Sequence, residues 1–150
     1  MSIEDAIDEF IEEAINAAQA GDPLHGADLH DTVYLKITKD YGVRIGDCES
    51  SISLLPGGGA EEFDADVTLV FYSRVIGQDK SQRKAARNQA RSLALAVASL
   101  FLIDPSMGGR VRDCILGRLK RGYDSLADAD SYAVGNLPLT VNFTGQQLEG

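Results

Sequence analysis

At 150 residues the chain is long enough for one domain with one real core, and its 44% hydrophobic and 25% charged residues exclude a disordered or fibrous protein. No apolar run reaches the ~18 residues that span a bilayer, and acids stand from Glu4 onward where a secretion signal would carry positive charge. The net charge of −9 is unevenly divided, with 16 acids and 3 bases over residues 1–66 and 10 bases and 3 acids over residues 79–121.

That division implies one acidic and one basic surface. The overall negative charge opposes long-range attraction to nucleic acid, while basic-on-acidic contact between protein surfaces suits both halves. Cys48 and Cys114 lie far apart in the chain, and they read as reduced, half-buried thiols of a cytosolic protein.

Residues 2–20 predict a helix. Ser2 and Asp5 have capping-box spacing, and acids crowd the first turns, where the helix dipole favours them. Ile3, Ile7, Phe10, Ile11, Ala14, Ile15 and Ala18 form an apolar stripe at helical spacing, and Gly21 and Pro23 end the helix. Residues 22–31 read as a polar loop. His25 and His30 sit there beside Asp22, Asp28 and Asp31, but their spacing matches no metal signature.

The β-branched and aromatic run from Thr32 to Ile37 predicts a strand, and Val43–Ile45 and Ile52–Leu55 predict two shorter ones. Pro56 to Gly59 is a loop, without the Gly-Lys-Ser/Thr ending of a phosphate-binding loop. Ala65 to Ile76 is the clearest strand. Ala65, Val67, Leu69, Phe71 and Val75 fall on one face and should pack; Asp66, Thr68, Tyr72 and Arg74 fall on the other, which should be wet or meet a partner.

Asp79 to Leu102 predicts a long helix. Lys80, Arg83, Lys84, Arg87 and Arg91 line one side of its first half, and Ala86, Ala90, Leu93, Val97 and Leu100 line the side that should meet a sheet. Leu93 to Ile103 is apolar nearly all round, which predicts burial on several sides. Asp104-Pro105 ends the helix, and Gly108-Gly109 sharpens the reversal.

From there Val111, Ile115 and Leu119 alternate with Arg110, Arg112, Arg118 and Lys120, a pattern that predicts one strand bent at Gly117. Ser125 to Ser131 reads as an acidic turn. Tyr132–Val134 and Leu137–Phe143 predict the last strand or strands, with Pro138 at an edge or a strand start. Clustered strands interrupted by one helix argue for an α+β fold, a mostly antiparallel sheet with the N-terminal helix and one long central helix packed on it.

No enzymatic constellation stands out. A Ser–His–acid set would need His25 or His30, with no nucleophile elbow nearby, and neither cysteine has an activating sequence context. Asp104 reads as a helix stop, not a catalytic acid. No catalytic residue, cofactor or metal is expected.

Residues 101–143 resemble the C-terminal part of the tail terminator (tail completion) proteins of long-tailed bacteriophages. The resemblance rests on an amphipathic helix ending at Asp104-Pro105, the Gly108-Gly109 turn, the strand from Arg110, the acidic turn, and Val134 to Leu139 in a Val-x-Asn-Leu-Pro-Leu pattern. It implies a structural virion protein, assembled in the bacterial host cytoplasm. Such proteins form a ring, commonly of six copies, at the head-proximal end of the tail tube, where they stop tube polymerisation and meet a head-side connector protein. Its partners would then be its own copies, the tube protein and the connector.

A ring needs a heterologous contact that closes by rotation. Arg83, Arg87 and Arg91, or Arg110, Arg112 and Arg118, with Lys120 and Arg121, are the candidate residues facing a neighbour's acids. The competing expectations are a head-side adaptor or stopper of the same virion, and a cytosolic nucleic-acid-binding regulator using the basic helix.

Overall fold

A computed structural model describes residues 2–30, 40–54, 61–77, 79–127 and 130–144. The expected strand at Thr32–Ile37 and the Pro56–Gly59 loop lie outside them. The elements in chain order are α1 (Ile3–Ala17), β1 (Asp28–His30), β2 (Tyr41–Leu54), β3 (Glu61–Arg74), α2 (Lys80–Ile103), β4 (Asp113–Leu116), β5 (Lys120–Ala127) and β6 (Asp130–Thr144).

The fold is α+β. One six-stranded sheet runs β1-β2-β3-β6-β4, with β5 also paired to β6. Every pairing is antiparallel except β1 with β2. Both helices cover the same face. Ile3, Ala6, Ile7 and Ile11 of α1 and Leu93, Ala94, Val97 and Phe101 of α2 share one core with Ala65, Val67, Leu69 and Phe71, the residues of β3 placed on one face by their period of two. Phe10 and Phe101 join the helices, with ring centroids 5.3 Å apart.

α1 starts as its sequence dictates. The Ser2 hydroxyl accepts from the Asp5 amide at 3.1 Å, and the Asp5 carboxylate accepts from the Ser2 amide at 3.3 Å, closing the capping box. It ends at Ala17, earlier than expected. Asp79 is the N-cap of α2 but makes no side-chain cap bond, so α2 owes its position to packing.

Four strand expectations are corrected. Val43–Ile45 and Ile52–Leu54 belong to one strand, β2, and Leu55 lies outside the described residues. Ile45 pairs with Leu69 and Cys48 with Val67, so one extra residue sits on β2 and both Ile45 and Cys48 reach the helix face. This bulge breaks the alternation that would have revealed a single strand. The segment from Arg110 to Lys120 is not one bent strand: Arg110 and Arg112 lie in the turn before β4, and the chain breaks between β4 and β5. The acidic segment Ser125–Ser131 is the end of β5 and the start of β6, with residues 128 and 129 outside the described set.

Pro138 lies in the interior of β6, neither at an edge nor at a strand start. It pairs with Thr68 on one side, while its carbonyl accepts from the Gly117 amide at 2.8 Å on the other. A strand residue sends its N and O to the same side. The missing donor of Pro138 therefore faces the β4–β5 break, and the ladder to β3 loses nothing.

The open face of the sheet is not uniformly wet. Tyr72 and Tyr132 are buried there, edge to face at 5.9 Å. The Tyr72 hydroxyl crosses Gly42 to donate to Asp28 at 2.9 Å. A Cβ on Gly42 would sit 2.4 Å from the Asp28 carbonyl oxygen and 2.7 Å from that hydroxyl, so only glycine fits. Burial and this bond to Asp28 both hold the Tyr72 phenol well above its ordinary pKa.

Candidate assembly interface

Residues 104–111 form a closely bonded turn at the end of α2. The Asp104 carboxylate accepts from the Ser106 hydroxyl and the Gly108 amide, each at 2.8 Å, and the Val111 amide donates to the Ser106 carbonyl at 3.1 Å. Met107, Gly108 and Gly109 have φ of 51°, 70° and 86°, three left-handed residues in succession. Glycine takes that conformation freely; methionine does so at a steric cost. Met107 is held there because its side chain is fully buried in the core. Asp104 thus organises the turn beyond merely stopping the helix.

The turn also anchors α1. Arg110 donates to the Met107 carbonyl at 2.9 Å and to Glu13 at 2.5 Å, and its Nε lies 3.5 Å from Glu9. Glu9 and Glu13 are four residues apart, so helical geometry sets both on one side of α1 to receive one guanidinium. This intrachain engagement commits Arg110, a candidate for contact with a neighbouring subunit, to its own molecule. The signal in the sequence was the Glu9/Glu13 spacing; the partner, 97 residues away, could not be read from it.

The other candidate bases divide by location. Arg87 and Arg91 line a shallow crevice with Ala90 of α2, Leu119 of the β4–β5 break, and Ala133, Val134 and Gly135 of β6. Leu119 seats over Gly135, whose missing side chain leaves room for it; an added Cβ would lie 3.3 Å from Leu119 Cδ1. Arg118 and Lys120 are the exposed chain neighbours of Leu119. The structure therefore brings Arg87 and Arg91 to Leu119, while Lys120, opposite Asn136, lies on the face of the sheet away from α2. Lys84, Arg87, Arg91, Arg118 and Lys120 are exposed and have no ion pair among the described residues. Arg83 and Arg112 are engaged elsewhere in the chain. Arg112 also donates its amide to the Asn142 carbonyl at 2.9 Å, and Arg121 pairs with Gly135 in the β5–β6 ladder.

The second half of α2 corrects the expectation of burial on several sides. Leu95, Leu102 and Ile103 are 51%, 72% and 83% exposed. Leu95 and Leu102 are two turns apart on one stripe. Ile115 of β4 is 65% exposed, next to Cys114, whose thiol lies 4.0 Å from the Phe101 carbonyl oxygen. Leu95, Leu102 and Ile103 thus form a bare apolar stripe along the end of α2, while Ile115, opposite Thr140, faces the other side of the sheet.

Catalytic groups do not converge in this region. Among the described residues no group of three His, Cys, Asp or Glu could hold a metal. His25 lies with its Nδ1 3.2 Å from the Ala18 carbonyl, and its own carbonyl accepts from the Tyr41 hydroxyl at 2.6 Å, so it helps to close the loop after α1. Cys48 and Cys114 are free and half-buried. Burial pushes the Cys48 thiol up to about 12, helped by a hydrogen bond to Glu4 and its charge. Burial, with the charges of Asp113 and Asp104, raises Cys114 to about 11. Both shifts oppose the reactive thiolate. No helix among the described residues is long and apolar enough to cross a membrane. Compared with known families and curated proteins, the chain matches no family model and no curated protein.

Proposed function

We propose that this chain is a structural subunit of the tail-terminator kind, forming a ring at the head-proximal end of a phage tail tube, ending tube growth and presenting the surface to which the head is joined. The observation that carries this reading is the bare apolar stripe at the end of α2. Large apolar side chains scattered singly on a surface need no explanation, but a group of them at one end of a small chain marks a surface for a partner. Leu95, Leu102 and Ile103 form such a group, beside a turn whose internal bonds hold the end of α2 in place. The resemblance of residues 101–143 to tail terminators falls on this same region. The role is assembly and not catalysis: the residues on offer are apolar contacts and arginines.

The test is to polymerise the tail tube protein of the same virus with and without this protein and to image the products by electron microscopy. Tubes of limited length, with added density at one end, are expected. A Leu102→Asp/Ile103→Asp variant, folded by circular dichroism, should lose end binding. Tubes that ignore the wild-type protein would overturn the reading, and binding to the head-side connector alone would place the protein on the other side of the joint.

A further inference from the structure

We infer, resting on the proposed tube-end contact, that the protein surface covering the bare end of α2 is acidic beside its apolar part, and that a single stripe of α2 receives both. Lys84, Arg87, Arg91, Leu95 and Leu102 follow one another at spacings of three, four, four and seven residues. Helical geometry sets such residues on one side. All five are exposed, while Leu93, Val97 and Phe101 of the same helix are buried in the core. The stripe is about 27 Å long at 1.5 Å per residue. Its first half is basic and its second half is apolar.

The basic half does nothing for its own fold. Lys84, Arg87 and Arg91 have no ion pair among the described residues. No acid occurs in the 24 residues of α2, so none stands one turn away to pair with them. Like charges one turn apart destabilise a helix, and both Lys84–Arg87 and Arg87–Arg91 have that spacing. The dipole favours acids at a helix start, yet the first turn of α2 has none and begins with Lys80. Bases held against local preference, without a partner in the chain, belong to a contact outside it.

The order along the stripe selects the kind of partner. Leu95 follows Arg91 by one turn, so a surface that covers Leu95 and Leu102 also meets Arg91 and Arg87. Apolar burial supplies the contact area, and opposite charge steers and orients it. A nucleic-acid backbone would suit the basic half alone. It leaves Leu95 and Leu102 uncovered, and the net charge of −9 opposes its approach. A second copy of α1 does not suit either, because its acids are engaged at home. Asp5 closes the helix cap, Asp8 has a partner within the chain, and Glu9 and Glu13 hold Arg110. The partner is therefore a different protein. Its carboxylates lie about 6–17 Å from its apolar contact, the rise from Leu95 back to Arg91 and Lys84.

Charge reversal on the capped tube tests this. Wild type, Arg87→Glu/Arg91→Glu and Arg87→Lys/Arg91→Lys are checked for folding by circular dichroism. Each is then mixed with tubes of the tail tube protein of the same virus, and end binding is measured by co-sedimentation and electron microscopy. At about 0.15 M salt exposed charges act over roughly 8 Å, and at about 1 M over roughly 3 Å. At the lower salt the glutamate variant should bind tube ends about tenfold more weakly, the effect of two exposed ion pairs turned into repulsions. The lysine variant should stay near wild type. Wild-type binding should weaken at the higher salt, while the glutamate variant should not weaken further. Capping that is equal for wild type and the glutamate variant, or independent of salt, would overturn the inference and leave the proposed function standing. Tubes that bind neither would remove both. An Arg87/Arg91-dependent shift of duplex DNA at about 0.15 M salt, or Arg87/Arg91-dependent self-association of the free protein, would assign the basic half to another partner and overturn the inference as well.

Discussion

The two helices lie on the same face of the same sheet, yet they treat their apolar residues differently. α1 sends Ile3, Ala6, Ile7 and Ile11 into the core and keeps acids outside, so its composition and its burial agree. α2 buries Ala86, Ala90, Leu93, Ala94, Val97 and Phe101, then leaves Leu95, Leu102 and Ile103 in the open. The sheet can cover only one side of a helix. When apolar residues exceed that side, the excess has to be covered by another molecule or left in water. α1 is a helix designed for one contact, and α2 is a helix with more apolar surface than its own fold uses.

The largest effect that could break this comparison is at Phe101 and its chain neighbour. Phe101 is buried against Phe10, and Leu102 is exposed. Phe101→Ala should cost about 3–5 kcal/mol of stability, while Leu102→Ala should cost about 0.5 kcal/mol or less, both read by urea denaturation. Equal losses would mean that Leu102 is covered within the monomer and that α2 has no spare apolar surface.

The helix starts come next. Ser2→Ala removes one half of a closed capping box and should cost about 1 kcal/mol. Asp79→Ala removes a side chain that makes no cap bond and should change stability by a few tenths at most. A comparable loss at both would contradict the difference in how the two helices begin.

Arg110→Ala should cost about 1 kcal/mol, because Arg110 is mostly buried but Glu9 and Glu13 are half to two-thirds exposed, and water screens the pair. Part of that loss should vanish in high salt. Amide hydrogen exchange should rise most in α1, whose anchor to the turn is removed, and in residues 104–111. Uniform exchange across the molecule would show that Arg110 does not tie the two together.

The smallest effect is chemical. The thiols of Cys48 and Cys114 titrate at about 12 and 11 in the fold, against an ordinary value of 9.0. The native state therefore holds its thiol protons more tightly than the unfolded chain. That contribution to stability is complete below pH 9 and is lost as pH rises from 9 toward 11 and 12. Alkylation of the native protein by iodoacetamide at pH 8 should be slow, and it should accelerate in urea. Rapid modification of the folded protein would show that the thiols are neither shielded nor raised.

Much of the fold was legible because the signals were local. The capping box of Ser2 and Asp5 spans four residues, the apolar stripe of α1 repeats within two turns, and Asp104-Pro105 with Gly108-Gly109 breaks the chain wherever it stands. The strand errors have physical causes. In β2 an inserted residue shifts the alternation, so that a strand looks like two. Pro138 reads as an edge residue, but it sits inside the sheet because the edge strand beside it is interrupted at Gly117. Tyr72 falls on the face expected to be wet, and its burial depends on Gly42 and Asp28, which are far away in the chain. At the candidate interface, the bases were legible as a group, but their division was not: Arg110 turns inward to α1, while Arg87 and Arg91 meet the crevice at Leu119.

By itself, then, the sequence determined the two helices and where each begins, the breaker turn, the α+β class and the separation of acids from bases. Those properties follow from backbone preference and periodicity over a few residues. The tertiary structure decided which strands continue through a bulge, which tyrosines are buried, which arginine is already paired and which leucines remain bare. These depend on what stands opposite each side chain, and that is set by pairings between residues tens of positions apart.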